Sequence, residues 1–267
     1  MGKKALCIGI NDYPGVDSDL SGCINDADDW ASFLGKKGFD VGVLANGQAT
    51  KSAIVFSIRS LLKSLKAGDT GVIQYSGHGT WVPDFDGDEP DRKDEALCPY
   101  DMGDDGSNLL LDDELRQLLT SRPAGTKVVL ITDSCHSGTV FRFVGPAGAK
   151  RKIRFIPPST FIKDAALLQK IAEVQHYRGP KVQRSDAPLP GVVHFSGCSD
   201  REYSYDAAFD NRPNGAFTYF ALRALLTSGQ TYQHVYSGIR HYLPSWDYPQ
   251  SPRLNADKAM KNAVAFE

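Results

Sequence analysis

Two short segments of the chain carry residues suited to acyl-transfer chemistry. Tyr75-Ser76-Gly77-His78-Gly79-Thr80 and Thr132-Asp133-Ser134-Cys135-His136-Ser137-Gly138 each set one reactive side chain in a glycine-flanked turn. A thiol of ordinary pKa is mostly protonated at neutral pH. An imidazole that takes its proton makes it a nucleophile for an acyl carbon. Cys135 is the candidate nucleophile and His78 the candidate base. His136 is the poorer base, because neighbours on an extended chain point to opposite faces. His176, His194, His234 and His241 read as structural or surface residues. The flanking glycines admit positive φ and close approach of a substrate backbone.

The period of two along extended chain extends this reading. Asp133 lies two residues before Cys135, and Ser76 two before His78, so each points to the side of its reactive neighbour. A carboxylate buried beside the nucleophile is costly unless it meets a cation. A substrate Arg or Lys would supply one. Alternatively, Asp133 caps the amides of its own turn. Both readings stand at this point.

The elements that must position these groups alternate along the chain. Lys4–Ile10, Phe39–Leu44, Thr70–Tyr75, Lys127–Thr132 and Val192–Ser196 read as strands, several of them continuously apolar as in a buried parallel sheet. Residues 23–36, 51–66, 112–120 and 214–227 have apolar positions at helical spacing, exemplified by the stripe Ile54, Ile58, Leu61, Leu62, Leu65. This rhythm predicts an open α/β sheet covered by helices, with the site beyond the carboxyl ends of the strands. Residues 79–111 and 139–190 fall outside it, the latter read as irregular with a helix near 160–176.

Bulk properties narrow the function classes. The 267 residues fit one domain, 1–267, and the net charge of −2 gives no global field for nucleic acid or an anionic membrane. Five scattered cysteines without CxxC spacing make neither a disulfide framework nor a structural zinc site. No segment is apolar enough to span a membrane, and the first residues lack a signal-peptide core. The chain therefore reads as a soluble, cytoplasmic protein.

YSGHG followed 57 residues later by DSCHSG resembles the caspase superfamily. Within it the sequence is similar to the metacaspases, above all their single-chain bacterial and type I-like forms (peptidase family C14, clan CD). LSGCINDA at 20–27, DEALCPYD at 94–101, LDDEL at 111–115, SGCSD at 196–200 and GAFTYFAL at 215–222 extend the likeness over nearly the whole chain. The cysteine block of animal caspases is absent. The resemblance implies a caspase-like α/β fold, with a mostly parallel central sheet of about six strands and helices on both faces. It implies a cysteine endopeptidase with a Cys135–His78 dyad. The backbone amides of Gly79 and Cys135 would form the oxyanion hole, and Cys23, Asp26, Ser76 and Asp133 would line a pocket for a substrate Arg or Lys. Partners would be protein or peptide substrates with a basic P1 residue, and the protein would be a monomer.

Thirteen acids crowd residues 84–114, and DFDGDEPDRKDE begins like a calcium loop but has Glu89 where Gly is needed. Residues 84–91 read as a solvated acidic loop. The resemblance implies calcium activation through four aspartates. Asp94, Asp112 and Asp113 match three, whereas the fourth position is Arg142. A guanidinium cannot ligate calcium and pairs with carboxylates instead. The expectation is weak or no calcium activation, with no cofactor required. Lys150, Arg151, Lys152 and Arg154 form a basic run after the nucleophile. They are either an autoprocessing site for an enzyme cutting after Arg or Lys, or an exposed charged loop. Two rival readings remain: a non-catalytic caspase-like scaffold or regulator, and a redox protein. The first is opposed by the presence of both His78 and Cys135, the second by the lack of a resolving cysteine near Cys135 in sequence.

Overall fold

A computed structural model describes residues 1–15, 17–84, 87, 92–135, 151–175, 187–199, 202–226 and 229–267. In chain order the elements are β1 (Lys3–Gly9), α1 (Cys23–Lys36), β2 (Asp40–Ala45), α2 (Lys51–Ser64) and β3 (Thr70–Ser76). Then come β4 (Gly79–Pro83), β5 (Lys93–Leu97), β6 (Leu110–Leu111), α3 (Asp112–Thr120) and β7 (Lys127–Asp133). The remainder comprises β8 (Lys152–Ile153), α4 (Pro158–Phe161), α5 (Ala165–Gln175), β9 (Val192–Ser196), β10 (Tyr205–Phe209) and β11 (Arg212–Gly215). It closes with α6 (Ala216–Ala224), α7 (Tyr232–Tyr242), β12 (Arg253–Ala256) and α8 (Lys258–Lys261).

Six strands form the central sheet in the order β12-β9-β7-β3-β1-β2, parallel throughout except for the antiparallel edge pair β12–β9. Alternate residues of each inner strand feed two cores. Leu6, Ile8, Ile73 and Leu130 pack with Ile54 and Ile58 of α2 and Leu118 of α3. Ala5, Cys7, Val72, Val129 and Ile131 pack on the other face, with Trp30 of α1, Phe217 of α6 and Ile239 of α7. Burial on both faces is why these strands read as unbroken apolar runs. Helix ends are capped where hydroxyls or carboxylates stand. Thr50 Oγ1 accepts from Ala53 N, Thr231 Oγ1 from His234 N, and Asp257 Oδ1 from Met260 N.

Two segments depart from the sequence expectation. Residues 79–111 contain the antiparallel sheet β4-β5-β6, whose acid-rich middle strand hides its pattern. Within 139–190, residues 151–175 are ordered as β8, α4 and α5. Phe161, Ile162 and Ile171 join the first core, so this stretch is neither irregular nor detached. The predicted helix 214–227 is shorter, because Arg212–Gly215 is spent on a strand paired with β10. Among the described residues, no helix is long and apolar enough to cross a membrane.

Candidate active site

β3 and β7 are adjacent and parallel, in a register that sets Ser76 beside Asp133. Two residues beyond these partners stand His78 and Cys135, so the pairing of the two central strands delivers both reactive groups to one sheet edge. His78 is 2% exposed and Cys135 fully buried. His136 lies outside the described residues.

His78 is pinned by its main chain. Its N donates to Tyr13 Oη (2.8 Å), and its carbonyl accepts from Tyr75 Oη (2.8 Å) and Cys98 N (3.1 Å). Gly77 is required here for close packing and not for positive φ. Neither Gly77 nor Gly79 has positive φ, but a Cβ on Gly77 would sit 2.5 Å from Tyr75 Oη and 2.6 Å from Tyr13 Oη. His78 Nε2 donates to the Ser18 carbonyl (2.6 Å), which fixes the tautomer and leaves the Nδ1 lone pair bare. Among the described residues Nδ1 completes no hydrogen bond. Burial pulls the imidazole pKa down to about 4. The Arg154 guanidinium acts in the same direction, while the Ser18 carbonyl and the Arg154 main chain oppose both. The ring is thus neutral at pH 7, as a base must be.

The segment from Lys152 to Ile156 threads this edge as an extended strand. On one side Ile153 and Lys152 pair with Tyr205 and Asp206, and Arg154 N donates to Ser204 O (3.0 Å). On the other, Ile156 N donates to Gly79 O (3.0 Å) and Thr80 Oγ1 to Ile156 O (2.7 Å). Between them the Arg154 carbonyl oxygen accepts from Gly79 N (3.1 Å) and Cys135 N (3.2 Å). The two amides assigned as an oxyanion hole therefore converge on a peptide carbonyl of the chain itself.

The Arg154 side chain is fully buried, which overturns the exposed-loop alternative for this residue. Nη2 meets Asp26 Oδ2 at 2.7 Å and Asp206 Oδ1 at 3.0 Å. Nη1 meets Asp133 Oδ2 at 3.1 Å and the Asp133 carbonyl at 3.2 Å. Each carboxylate is held from elsewhere. Asp133 accepts from Ser204 Oγ (2.5 Å), Thr218 N (3.0 Å) and Thr218 Oγ1 (2.8 Å). Asp26 accepts from Gly215 N (2.9 Å) and Asn214 Nδ2 (3.0 Å). Asp206 accepts from Ser21 N (2.8 Å) and Gly22 N (2.9 Å), and so closes the start of α1. Asp133 thus joins the Arg154 guanidinium to the first turn of α6. Burial, chiefly, pushes the Asp26 carboxyl up to about 6, with Asp133 adding to it and Arg154 opposing. Cys23, whose thiol burial pushes well up, feels the charges of Arg154 and all three acids. Ser76 is buried and accepts from Gln74 Nε2 (2.8 Å).

Sequence reading missed three contributors. Asp206 is a third pocket acid, invisible because it lies 180 residues from Asp26. Gln250 is fully buried; its Nε2 donates to Gly197 O (2.7 Å) and Ser204 Oγ (3.3 Å), and its Oε1 accepts from Tyr205 N (3.2 Å). Cys198 is buried, its thiol raised first by a hydrogen bond with Cys135, so a second thiol does stand beside the nucleophile in space. Gly215 could have been suspected from GAFTYFAL. Its Cβ would lie 2.2 Å from Asp133 Oδ2 and 2.5 Å from Arg154 Nη1, although its φ of −72° suits any residue. Gly215→Ala should therefore force Asp133 and Arg154 apart and cost about 3–5 kcal/mol of stability, measured as a fall in Tm.

Among the described residues, no three carboxylates, histidines or cysteines gather into a metal-holding group, and this includes Asp94 on β5 and Asp112 and Asp113 at the start of α3. Arg142 and Lys150 lie outside the described residues, as do Asp86, Asp88, Glu89 and Asp91.

A family model described as "Metacaspase, peptidase C14 domain" matches residues 3–144, more than half the chain. The chain belongs to the metacaspases. Metacaspase-1 of Cryptococcus neoformans is 30% identical over 99% of this chain and 64% of its own length. Metacaspase-1B of Aspergillus fumigatus is 31% identical over 99% and 72%. The present metacaspase thus spans about two thirds of the length of the curated relatives it matches. A solved protein from Geobacter sulfurreducens superposes with a TM-score of 0.75 at 31% identity, covering 100% of this chain and 98% of that one. Caspase-1 from Spodoptera frugiperda shares the fold, with a TM-score of 0.57 at 13% identity over 95% and 86% of the two chains. The fold is therefore caspase-like, as the sequence motifs implied.

Proposed function

We propose that this metacaspase is a cysteine endopeptidase that cuts after arginine, and that its first substrate is its own Arg154–Phe155 bond. One observation carries the proposal. The Arg154 carbonyl oxygen lies between the two amide donors at the nucleophile while its guanidinium fills the three-acid pocket. In this mechanism Cys135 Sγ gives its proton to His78 Nδ1 and attacks the Arg154 carbonyl carbon. The oxygen gains negative charge against Gly79 N and Cys135 N, each donor contributing on the order of 3 kcal/mol. The protonated ring then delivers the proton to Phe155 N, the C–N bond breaks, and water hydrolyses the thioester.

Arginine is favoured over lysine for a geometric reason. The planar fork reaches Asp133 through Nη1, and Asp26 and Asp206 through Nη2. A single ammonium reaches the same acids only from one point. Hydrolysis of matched peptides with Arg, Lys or Asp before the reporter tests this on the self-processed chain. The expected order is Arg above Lys, with no cleavage after Asp. Cleavage after Asp, or indifference to P1, would end the proposal. Repeating the series with calcium should change little, because Arg142 stands at the position of the fourth ligand and a guanidinium cannot bind calcium. A many-fold rise would restore a metal role.

A further inference from the structure

The strand that carries Arg154 engages the protein at a second side chain. β8 runs antiparallel to β10 with Ile153 opposite Tyr205. Arg151, two residues before Ile153, shares its face and is the diagonal neighbour of Tyr205, within reach of a long side chain. Its Cζ stands 5.2 Å from the centre of the Tyr205 ring. Tyr248 packs against Tyr205 at 6.2 Å between centroids, tilted by 56°. Behind them Tyr248 leans on Phe209 (5.2 Å), which stacks on Tyr219 (4.2 Å), so the two tyrosines belong to a braced aromatic wall. The Arg151 charge favours ionisation of both phenols, although burial outweighs it and pushes Tyr205 up to about 12. The residues between are held loosely by comparison: Ile153 is 38% exposed, and the exposed Lys152 reaches the Asp19 carbonyl through Nζ (2.5 Å).

We propose that Tyr205 and Tyr248 form a cation-accepting P4 subsite, so that this metacaspase reads basic residues at P4 and P1 with P2 and P3 left open. The inference rests on the reading of Arg154 as P1. An aromatic face attracts a guanidinium or ammonium through its quadrupole, and does so more strongly where water is excluded. A neutral side chain of equal length gains only its apolar contact.

The test uses peptides of the form acetyl-X-Ala-Ala-Arg-reporter on the self-processed full chain, with X as Arg, Lys, citrulline, Leu or Ala. Arg and Lys should exceed citrulline and Ala in kcat/KM by about 5- to 30-fold. The ratio of Arg to Ala at P4 should collapse towards one in Tyr205→Leu and Tyr248→Leu and survive in Tyr205→Phe. Using a ratio within each variant cancels any loss of folded enzyme, and the wild-type series stands alone if a variant does not fold. Equal rates across X, or a preference for Leu or citrulline, would overturn the subsite while leaving cleavage after arginine intact. Failure to cleave any of the five peptides would overturn the P1 reading and the subsite with it.

Discussion

A Cys135→Ala chain should stay whole under conditions in which the parent protein divides into residues 1–154 and 155–267. The variant removes the nucleophile and leaves the binding groups in place, so the loss of self-cleavage should be on the order of 10^4-fold or more. Intact mass over a time course reads it directly, because the cut position follows from the fragment masses. Cleavage after Lys150, Arg151 or Lys152 instead would mean that the segment shifts register before reacting. A parent that hydrolyses peptides while remaining uncut would show Arg154 to be a plug and not a substrate. The fragments need not separate after the cut. Ile156 lies in the first core and holds the new amino end, whereas the short β8 pairing must open for Arg154 to leave the pocket and admit a peptide.

Asp133→Asn should be the most damaging of the pocket substitutions. Asp133 is fully buried and receives Arg154, Ser204 Oγ and both donors of Thr218. An amide there turns one acceptor into a donor facing donors and removes one of three charges from around a desolvated guanidinium. Breaking a buried pair in this way costs about 3–5 kcal/mol, which corresponds to a loss of roughly 100- to 5,000-fold in kcat/KM on arginyl peptides. Asp206→Asn should cost less on the cation, because Asp26 shares the same Nη2. Alkylation of Cys135 by iodoacetamide in the processed Asp133→Asn enzyme checks that the nucleophile is intact. Normal alkylation with lost peptide cleavage places the defect in the pocket. Parallel loss of both would mean that Asp133 acts on the thiol itself.

Much of this could be read along the chain, for identifiable reasons. Continuous apolar runs at 70–75 and 127–132 announce strands buried on both faces, and helical stripes such as Ile54, Ile58, Leu61 announce their covers. Those runs become β3 and β7, and His78 and Cys135 follow each by a fixed two residues, so the two reactive groups come with the motifs. Alternation likewise sets Asp133 on the same side of the chain as Cys135. These are local properties, expressed within a few residues of the atoms concerned.

What only the tertiary structure decided is what the site holds. The basic run 150–154 has one composition but two fates. Arg154 is fully buried, and Arg151 faces a tyrosine, whereas Lys152 lies on the surface. No rule of composition separates them, because the separation comes from pairing with β10, fifty residues further on. Asp206, Gln250, Tyr248 and Cys198 reach the site by the same long-range route. Sequence determined which groups could react and which faces they occupy, since both depend on local backbone period. The fold determined that an arginine of the chain itself fills the pocket. Three buried carboxylates require a cation, and strand pairing brings this one within their reach.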